Sequence, residues 1–124
     1  MERGMITIEL PWPDYKILSP NASVHWTVKA KAVKAEREMA YYLAWKTWKQ
    51  EGMGTLEDIR CTFVYHQPDN YHRDLKNVDT AMKGAIDGVC DALGIDDSQI
   101  KETVSRFGEV DRPDGRVVMT LEAM

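Results

Sequence analysis

The feature that most constrains the fold is a stretch from residue 27 to residue 51 that contains neither glycine nor proline. It is rich in Ala, Lys, Glu and Met, and this composition predicts one long helix. Gly52-Met53-Gly54 follows directly and predicts where that helix ends. An unusually wide apolar side indicates burial on more than one side, including against a second copy of the chain. The side chains on that side are Val28, Ala32, Ala35, Met39, Tyr42 and Leu43, widened by Tyr41, Trp45 and Trp48.

Four short segments predict β-strands, and a further periodic segment predicts a second helix. Alternation and β-branched residues place the strands at residues 5–10, 58–66, 100–110 and 116–122. Apolar residues recur at helical spacing over residues 75–93, and Gly94 follows as a C-terminal cap. The order β-α-β-α-β-β predicts an α+β fold, a single domain of residues 1–124 with a mixed β-sheet covered by two helices.

Length, cysteine content and missing motifs narrow the class of protein. A chain of 124 residues can bury a core without a disulfide or a metal. Cys61 and Cys90 form no CxxC pair, so we expect reduced thiols in a cytoplasmic protein and no thiolate zinc site. No apolar run is long enough to span a membrane, and the first residues do not form a signal peptide. The motifs GxGxxG and GxxxxGK(S/T) are missing, so no organic cofactor is expected.

Charge is distributed unevenly along the chain, whose net charge is −4. Residues 24–50 carry six basic and two acidic side chains, a local charge of +4. Residues 85–124 carry four basic and nine acidic side chains, a local charge of −5. The net charge argues against a general nucleic-acid binder, but a basic element beside an acidic one can bind phosphate and cations in one molecule.

Aspartates are concentrated between residues 69 and 97, where there are seven of them. Asp74 precedes the second predicted helix, and Asp96-Asp97 follow it. Carboxylate oxygens are what Mg²⁺ prefers, so a magnesium site would form if the fold brings these loops together, with the carboxylates about 4–6 Å apart. Helix capping and turn chemistry are the alternative interpretation, because Asp is favoured at both.

A stripe of alternating charge on the second predicted helix has two interpretations. Lys76, Asp79, Lys83 and Asp87 are spaced by three and four residues and fall on one helical face. The structural interpretation is a solvated face stabilised by neighbouring opposite charges. The functional interpretation places Lys83 beside a phosphate, with Asp79 or Asp87 near a metal ion.

Three short motifs, in this order, resemble one known family. They are LPWP with LSPNASVHW over residues 10–26, RDLKN over residues 73–77 with Lys83 and Asp87-Gly88, and GIDDSQI over residues 94–100. Together they make the chain similar to the RusA-type Holliday junction resolvases, small phage- and prophage-associated endodeoxyribonucleases. The resemblance covers about residues 5–100.

The resemblance implies a homodimeric, Mg²⁺-dependent nuclease that nicks two opposed strands of a four-way DNA junction, in DNA recombination and repair. On this basis Asp74 and Asp97 hold the metal and are catalytic, and Lys83 corresponds to the family's active-site lysine. Asp79 is a further candidate metal ligand. The expected DNA contacts come from the long helix and from the start of the second one: Lys29, Lys31, Lys34, Arg37, Arg73, Lys76 and Asn77.

One residue departs from the family pattern. The family often has D-x-D-N, whereas this chain has Asp74-Leu75-Lys76-Asn77, so a cation stands where a second carboxylate is expected. Replacing −1 by +1 beside a divalent cation is a large electrostatic change. Asp79 could supply the missing carboxylate, or Asp74 and Asp97 could suffice. Alternatively, the protein is a junction-binding dimer with weak or no cleavage, or a purely structural oligomer.

Overall fold

The computed structural model describes residues 4–51 and 57–124, and for residues 49–51 only the backbone. Gly52-Met53-Gly54, the predicted end of the long helix, lies outside the described residues. The elements in chain order are β1 (Met5–Pro11), α1 (Tyr15–Leu18), α2 (Trp26–Glu51), β2 (Ile59–His66), α3 (Leu75–Ala81), α4 (Lys83–Leu93), a 3₁₀ turn (Asp97–Gln99), β3 (Ile100–Phe107) and β4 (Arg116–Ala123).

The four strands form one mixed sheet in the spatial order β1-β4-β2-β3. β4 is antiparallel to both β1 and β2, whereas β3 runs parallel to β2. The parallel pair is joined by α3 and α4, as a crossover connection requires. The predicted α+β class with a mixed sheet is therefore confirmed.

The core lies between one face of this sheet and the helices. Alternate residues of β1, β2 and β4 are buried, which gives these three strands the strict period of two of a half-covered sheet. The buried residues of the three strands are Ile6, Ile8, Leu10, Ile59, Cys61, Phe63, Tyr65, Val117, Met119 and Leu121.

Two glycines allow α4 to approach α2 closely. A Cβ on Gly88 would overlap the backbone carbonyl oxygen of Arg37, and one on Gly84 would lie 3.0 Å from the carbonyl oxygen of Val33. Both glycines are buried and stand four residues apart on one face of α4. Backbone contact at these two positions sets the distance between the helices.

The second predicted helix is two helices in the structure, so the prediction of two covering helices is only partly right. α3 ends at Ala81 and α4 begins at Lys83, with Met82 between them at φ −91° and ψ 1°. Gly94 caps α4 at φ +68°, in the left-handed conformation that glycine favours, as predicted. The short helix α1 was not predicted.

The predicted apolar side of α2 is partly wrong. Val28, Ala35 and Tyr42 are exposed, whereas Ala40 and Ala44 are fully buried. Tyr41, Trp45 and Trp48, expected to widen the buried side, are more than one-third exposed in the isolated chain.

Candidate functional site

Asp79 lies at the carboxyl ends of the parallel strands β2 and β3. Its Oδ1 accepts a hydrogen bond from the Tyr65 hydroxyl and another, of 2.7 Å, from Ser105 Oγ. Burial and the Asp79 carboxylate together raise the pKa of Tyr65, so its phenol remains protonated and donating. Asp79 therefore faces the sheet and is not part of a solvated helical face, which was one of the two interpretations of its spacing.

Asp74 is the N-cap of α3, as predicted from its position. Its Oδ1 accepts from the backbone N–H of Lys76 at 2.9 Å, which satisfies one of the free donors at the helix start. Lys76 is exposed and Asn77 half-buried one turn along, so all three predicted residues lie at the same end of α3.

Asp96 and Asp97 follow α4, whereas Asp74 precedes α3, so they lie at opposite ends of the α3–α4 pair. Asp96 caps the 3₁₀ turn and accepts 2.6 Å from Ser98 Oγ, and these hydrogen bonds lower its pKa. Asp97 is exposed and occupies the first position of the turn. The pKa of the Cys90 thiol is raised to about 11 mainly by burial. The nearby charge of Asp97 is the second largest cause.

Asp74 and Asp97 do not come together within the single chain. Asp97 precedes Ile100, the first residue of β3, whereas Asp79 bonds to Ser105, five residues further along that strand. Five residues of strand span about 16 Å. Asp74 lies more than one helical turn beyond Asp79 in the direction away from Asp97, so the separation exceeds what one shared ion allows.

Lys83 lies in a groove between α2 and α4. The groove has a volume of about 360 Å³, and its charged lining residues are Lys29, Glu36, Lys83 and Asp87. Thr80 adds a hydroxyl. The break at Met82 turns Lys83 and Asp87 toward α2, away from Asp79, so the predicted four-residue charged stripe is divided between two surfaces.

Three of the four basic residues predicted on α2, namely Lys29, Lys34 and Arg37, line one surface beside this groove. Lys31 and Lys34 are exposed and Lys29 is half-buried. Trp26, at the start of the helix and 74% exposed, lines the same surface. Arg37 is also exposed but donates from Nε to Asp91 at 2.9 Å, so part of its charge is neutralised.

Arg73, one of the expected DNA contacts, is mostly buried and forms several contacts within the chain. Its guanidinium donates to Asp69 at 2.7 Å and to Gln67 at 3.0 Å, and its side chain is only 15% exposed. It also lies 5.4 Å from the ring centre of Trp12. These contacts favour a role in fixing the loop before α3.

Glu36 is a buried carboxyl that the sequence interpretation missed. It is 7% exposed, and its Oε1 accepts from the backbone N–H of Ala85 at 3.0 Å. Burial raises its pKa to about 7. A signal was present in the sequence, because Glu36 stands four residues from both Ala32 and Ala40 on the side of α2 that faces the domain.

Two further observations bear on the site. No group of three or more His, Cys, Asp or Glu side chains in residues 4–48 and 57–124 is arranged to hold a metal ion. None of the helices in the described part of the chain has the length and apolarity needed to cross a bilayer.

Comparison with solved structures gives only distant similarity, and no family model matches the chain. PurLQS and phosphoribosylformylglycinamidine synthase II, both from Thermotoga maritima, are each 14% identical with a TM-score of 0.38. The matches cover 99% and 98% of this chain but only 18% of each of those proteins. Similarity at this level does not establish a common fold.

Comparison with known sequences gives a closer relative. An uncharacterized protein from Xylella fastidiosa (strain Temecula1) is 36% identical over 120 residues, which cover 96% of this chain and 77% of that protein. Identity at this level over nearly the whole chain shows that the chain belongs to the same family as the Xylella fastidiosa protein.

Proposed function

We propose that the protein is a Mg²⁺-dependent endodeoxyribonuclease that binds four-way DNA junctions as a homodimer and nicks two opposed strands, as the resemblance to RusA-type resolvases implies. The observation that carries the proposal is the basic and aromatic surface at the start of α2, which continues into the groove that holds Lys83. In the proposal the protein acts in the cytoplasm, in recombination and repair.

The basic surface suits a phosphate backbone. Lys29, Lys34 and Lys83 line one continuous region, so successive phosphates of one strand can contact successive cations. Trp26 offers an exposed ring on which an unpaired base at a junction can stack. Because the remainder of the molecule is acidic, binding depends on this local surface and is weak on arbitrary duplex.

The metal site fits only when two subunits contribute to it. Within one protomer, Asp74 and Asp97 lie at opposite ends of the helix pair, so their carboxylates do not converge. A two-fold dimer can place the Asp97 end of one subunit against the Asp74 and Asp79 end of the other, and symmetry then creates two equal sites. When bound there, magnesium would activate water and neutralise charge on the phosphate being hydrolysed.

The residues around such a site have separable roles. Asp74 and Asp97 would hold the ion, and Asp79 stays hydrogen-bonded to Tyr65 and Ser105, where it fixes α3 against the sheet. Lys83 and Lys29 would hold the DNA backbone and stabilise negative charge at the phosphate. Lys76, exposed beside Asp74, adds a cation where the family often has a carboxylate.

The direct test is cleavage of a synthetic four-way junction in Mg²⁺. We expect paired, symmetrical nicks from the wild type and a loss of at least 100-fold for Asp97→Asn, since a metal-binding carboxylate is removed. Asp114→Asn, an exposed aspartate of the β3–β4 turn, is the matched control and should cleave normally. Full cleavage by Asp97→Asn would rule out this site.

A second candidate function is junction binding without cleavage, and Lys76 is the observation that favours it. If the site is disabled by this cation, Lys76→Asp should raise cleavage at least tenfold while junction affinity changes little. If Lys76→Asp leaves cleavage by an active wild type unchanged, another residue completes the site. A protein that binds no junction DNA even at low salt would instead be a structural oligomer.

A further inference from the structure

β3 is the edge strand of the sheet, and its outer edge is free among the described residues. It stands last in the strand order and pairs with β2 alone. Its side chains are exposed on both faces of the sheet over Glu102, Thr103 and Val104, and again at Arg106 and Phe107. An edge strand presents unpaired N–H and C=O groups that another strand can bind.

The regular pairing of β3 with β2 begins at Glu102, after an irregularity opposite Ile59 and Arg60 of β2. Thr103, Ser105 and Phe107 oppose core-facing residues of β2, so they lie on the helix-covered face. Glu102, Val104 and Arg106 therefore lie on the open face, as one acid, one apolar residue and one base in alternation.

This alternation is self-complementary under two-fold symmetry. In an antiparallel pair, directly opposed residues share a face and are either both hydrogen-bonded across the pair or both not. With Val104 opposite its own copy, Glu102 lies opposite the partner's Arg106, and Arg106 opposite the partner's Glu102. The same register places Thr103 opposite the partner's Ser105. Moving the register by two residues in either direction loses both charge pairs.

We propose that β3 pairs antiparallel with β3 of a second copy of this chain, with Val104 on the two-fold axis, to give one continuous eight-stranded sheet. Two opposite-charge pairs flank an apolar contact, which is a favourable cross-strand arrangement. The opposite edge of the sheet lacks this property, because the only charged residue of β1 is Glu9.

The pairing also places the two predicted acidic ends side by side. The first residues of β3 in one subunit come opposite the last residues of β3 in its partner, so Asp97 lies beyond the partner's Phe107, at the end of the strand where Ser105 bonds to Asp79. The interface thus brings Asp97 of one subunit to the strand end that carries Asp79 in the other, twice by symmetry. This consequence rests on the proposed nuclease function, whereas the strand pairing itself does not.

The pairing is tested by oligomeric state, measured by sedimentation equilibrium without DNA or metal. We expect a wild-type dimer and, for Glu102→Arg or Arg106→Glu alone, a dissociation constant roughly tenfold higher or more, because each places two like-charge pairs across the interface. The double variant Glu102→Arg/Arg106→Glu restores opposite charges and should restore the dimer. Glu9→Arg, which makes the same charge change at the other sheet edge, should dimerise normally.

A monomeric wild type, or a dimer that the single variants leave intact, would overturn the pairing. Single variants that dissociate without restoration in the double variant would overturn the register. Far-ultraviolet circular dichroism establishes that each variant is folded, since Glu102→Arg also removes the 3.1 Å ion pair with Arg60.

Cross-linking supplies a measurement that needs no charge change. Opposed Cα atoms on such an axis lie about 4.5–5.5 Å apart, within the range that a disulfide bridges. Val104→Cys should therefore form a covalent dimer on mild oxidation, whereas Thr7→Cys on β1 should not. Cys61 and Cys90 are buried with raised pKa values and should contribute no cross-link in the wild type. A Val104→Cys protein that stays monomeric on oxidation would also overturn the proposal, and neither result depends on junction cleavage.

Discussion

Glu36 shows how one buried carboxyl organises the contact between two helices. Its Oε1 accepts from the N–H of Ala85, near the start of α4, where an interrupted helix leaves backbone donors without partners. Met82, at the N-cap position, makes no side-chain cap. Glu36 of α2 therefore caps the start of α4, a role that is usually filled by the residue just before a helix.

This arrangement makes stability depend on pH. Burial raises the pKa of Glu36 from 4.5 to about 7, so the folded protein holds this proton more tightly than the unfolded chain. The contribution is fully present below pH 4.5 and is lost as pH rises to 7, about 3 kcal/mol in all. We expect Glu36→Gln to remove this slope and to be the more stable protein at pH 8.

The measurement is urea unfolding of the wild type and Glu36→Gln from pH 4.5 to 8. Exposed Glu38, two residues along α2, gives the control Glu38→Gln, which should keep the wild-type slope. If the wild type and Glu36→Gln lose stability equally over this range, the carboxyl does not titrate as described.

Gly88 gives a second prediction at the scale of the residue. Gly88→Ala should destabilise the fold by about 3 kcal/mol, because its Cβ meets backbone atoms of α2 that move only with the helix. Gly84→Ala should cost less, since its nearest contact, at 2.9 Å, is the side-chain oxygen of Glu36. Denaturant unfolding of both variants checks the order, and an equal or reversed order would contradict it.

At the scale of the element, local patterns predicted the strands and caps but not the break in the second helix. Asp74, Gly94 and the alternating strands carry their signals in adjacent residues. Neither Met82 nor the residue on either side of it is a glycine or proline, and the N–H of Ala85 is satisfied by Glu36, 49 residues away in the chain. A contact between distant segments leaves no local pattern to interpret.

The basic surface of α2 predicts a salt dependence. Removing one phosphate contact by Lys34→Ala should lower junction affinity about five- to tenfold at low salt and reduce the slope of log K against log salt by about 1. Lys46→Ala is the matched control, because Lys46 is exposed on the same helix but outside the surface that Trp26, Lys29 and Lys34 line. Fluorescence anisotropy across a salt series measures both, and equal slopes for the two variants would contradict the proposed DNA surface.

At the scale of the whole molecule, the sequence predicted the fold class but could not place the candidate residues relative to one another. It indicated an α+β domain with a mixed sheet, and it singled out acidic residues at both ends of the second helix. Since β2 and β3 are parallel, α3 and α4 must carry the chain from the end of β2 back to the start of β3. The two ends of this connection therefore lie far apart in one chain. Only coordinates show that the two ends are apart, and the proposed site that uses both therefore requires a second subunit.

The most direct test of that claim is a mixture of two inactive proteins, Asp74→Asn and Asp97→Asn. In a mixed dimer with composite sites, one site carries both substitutions and the other carries neither, so junction nicking should return. With equal amounts and free exchange of subunits, roughly a quarter of the wild-type nicking is expected. If each subunit instead holds its own complete site, every site in the mixture is damaged, and the mixture stays as inactive as its components.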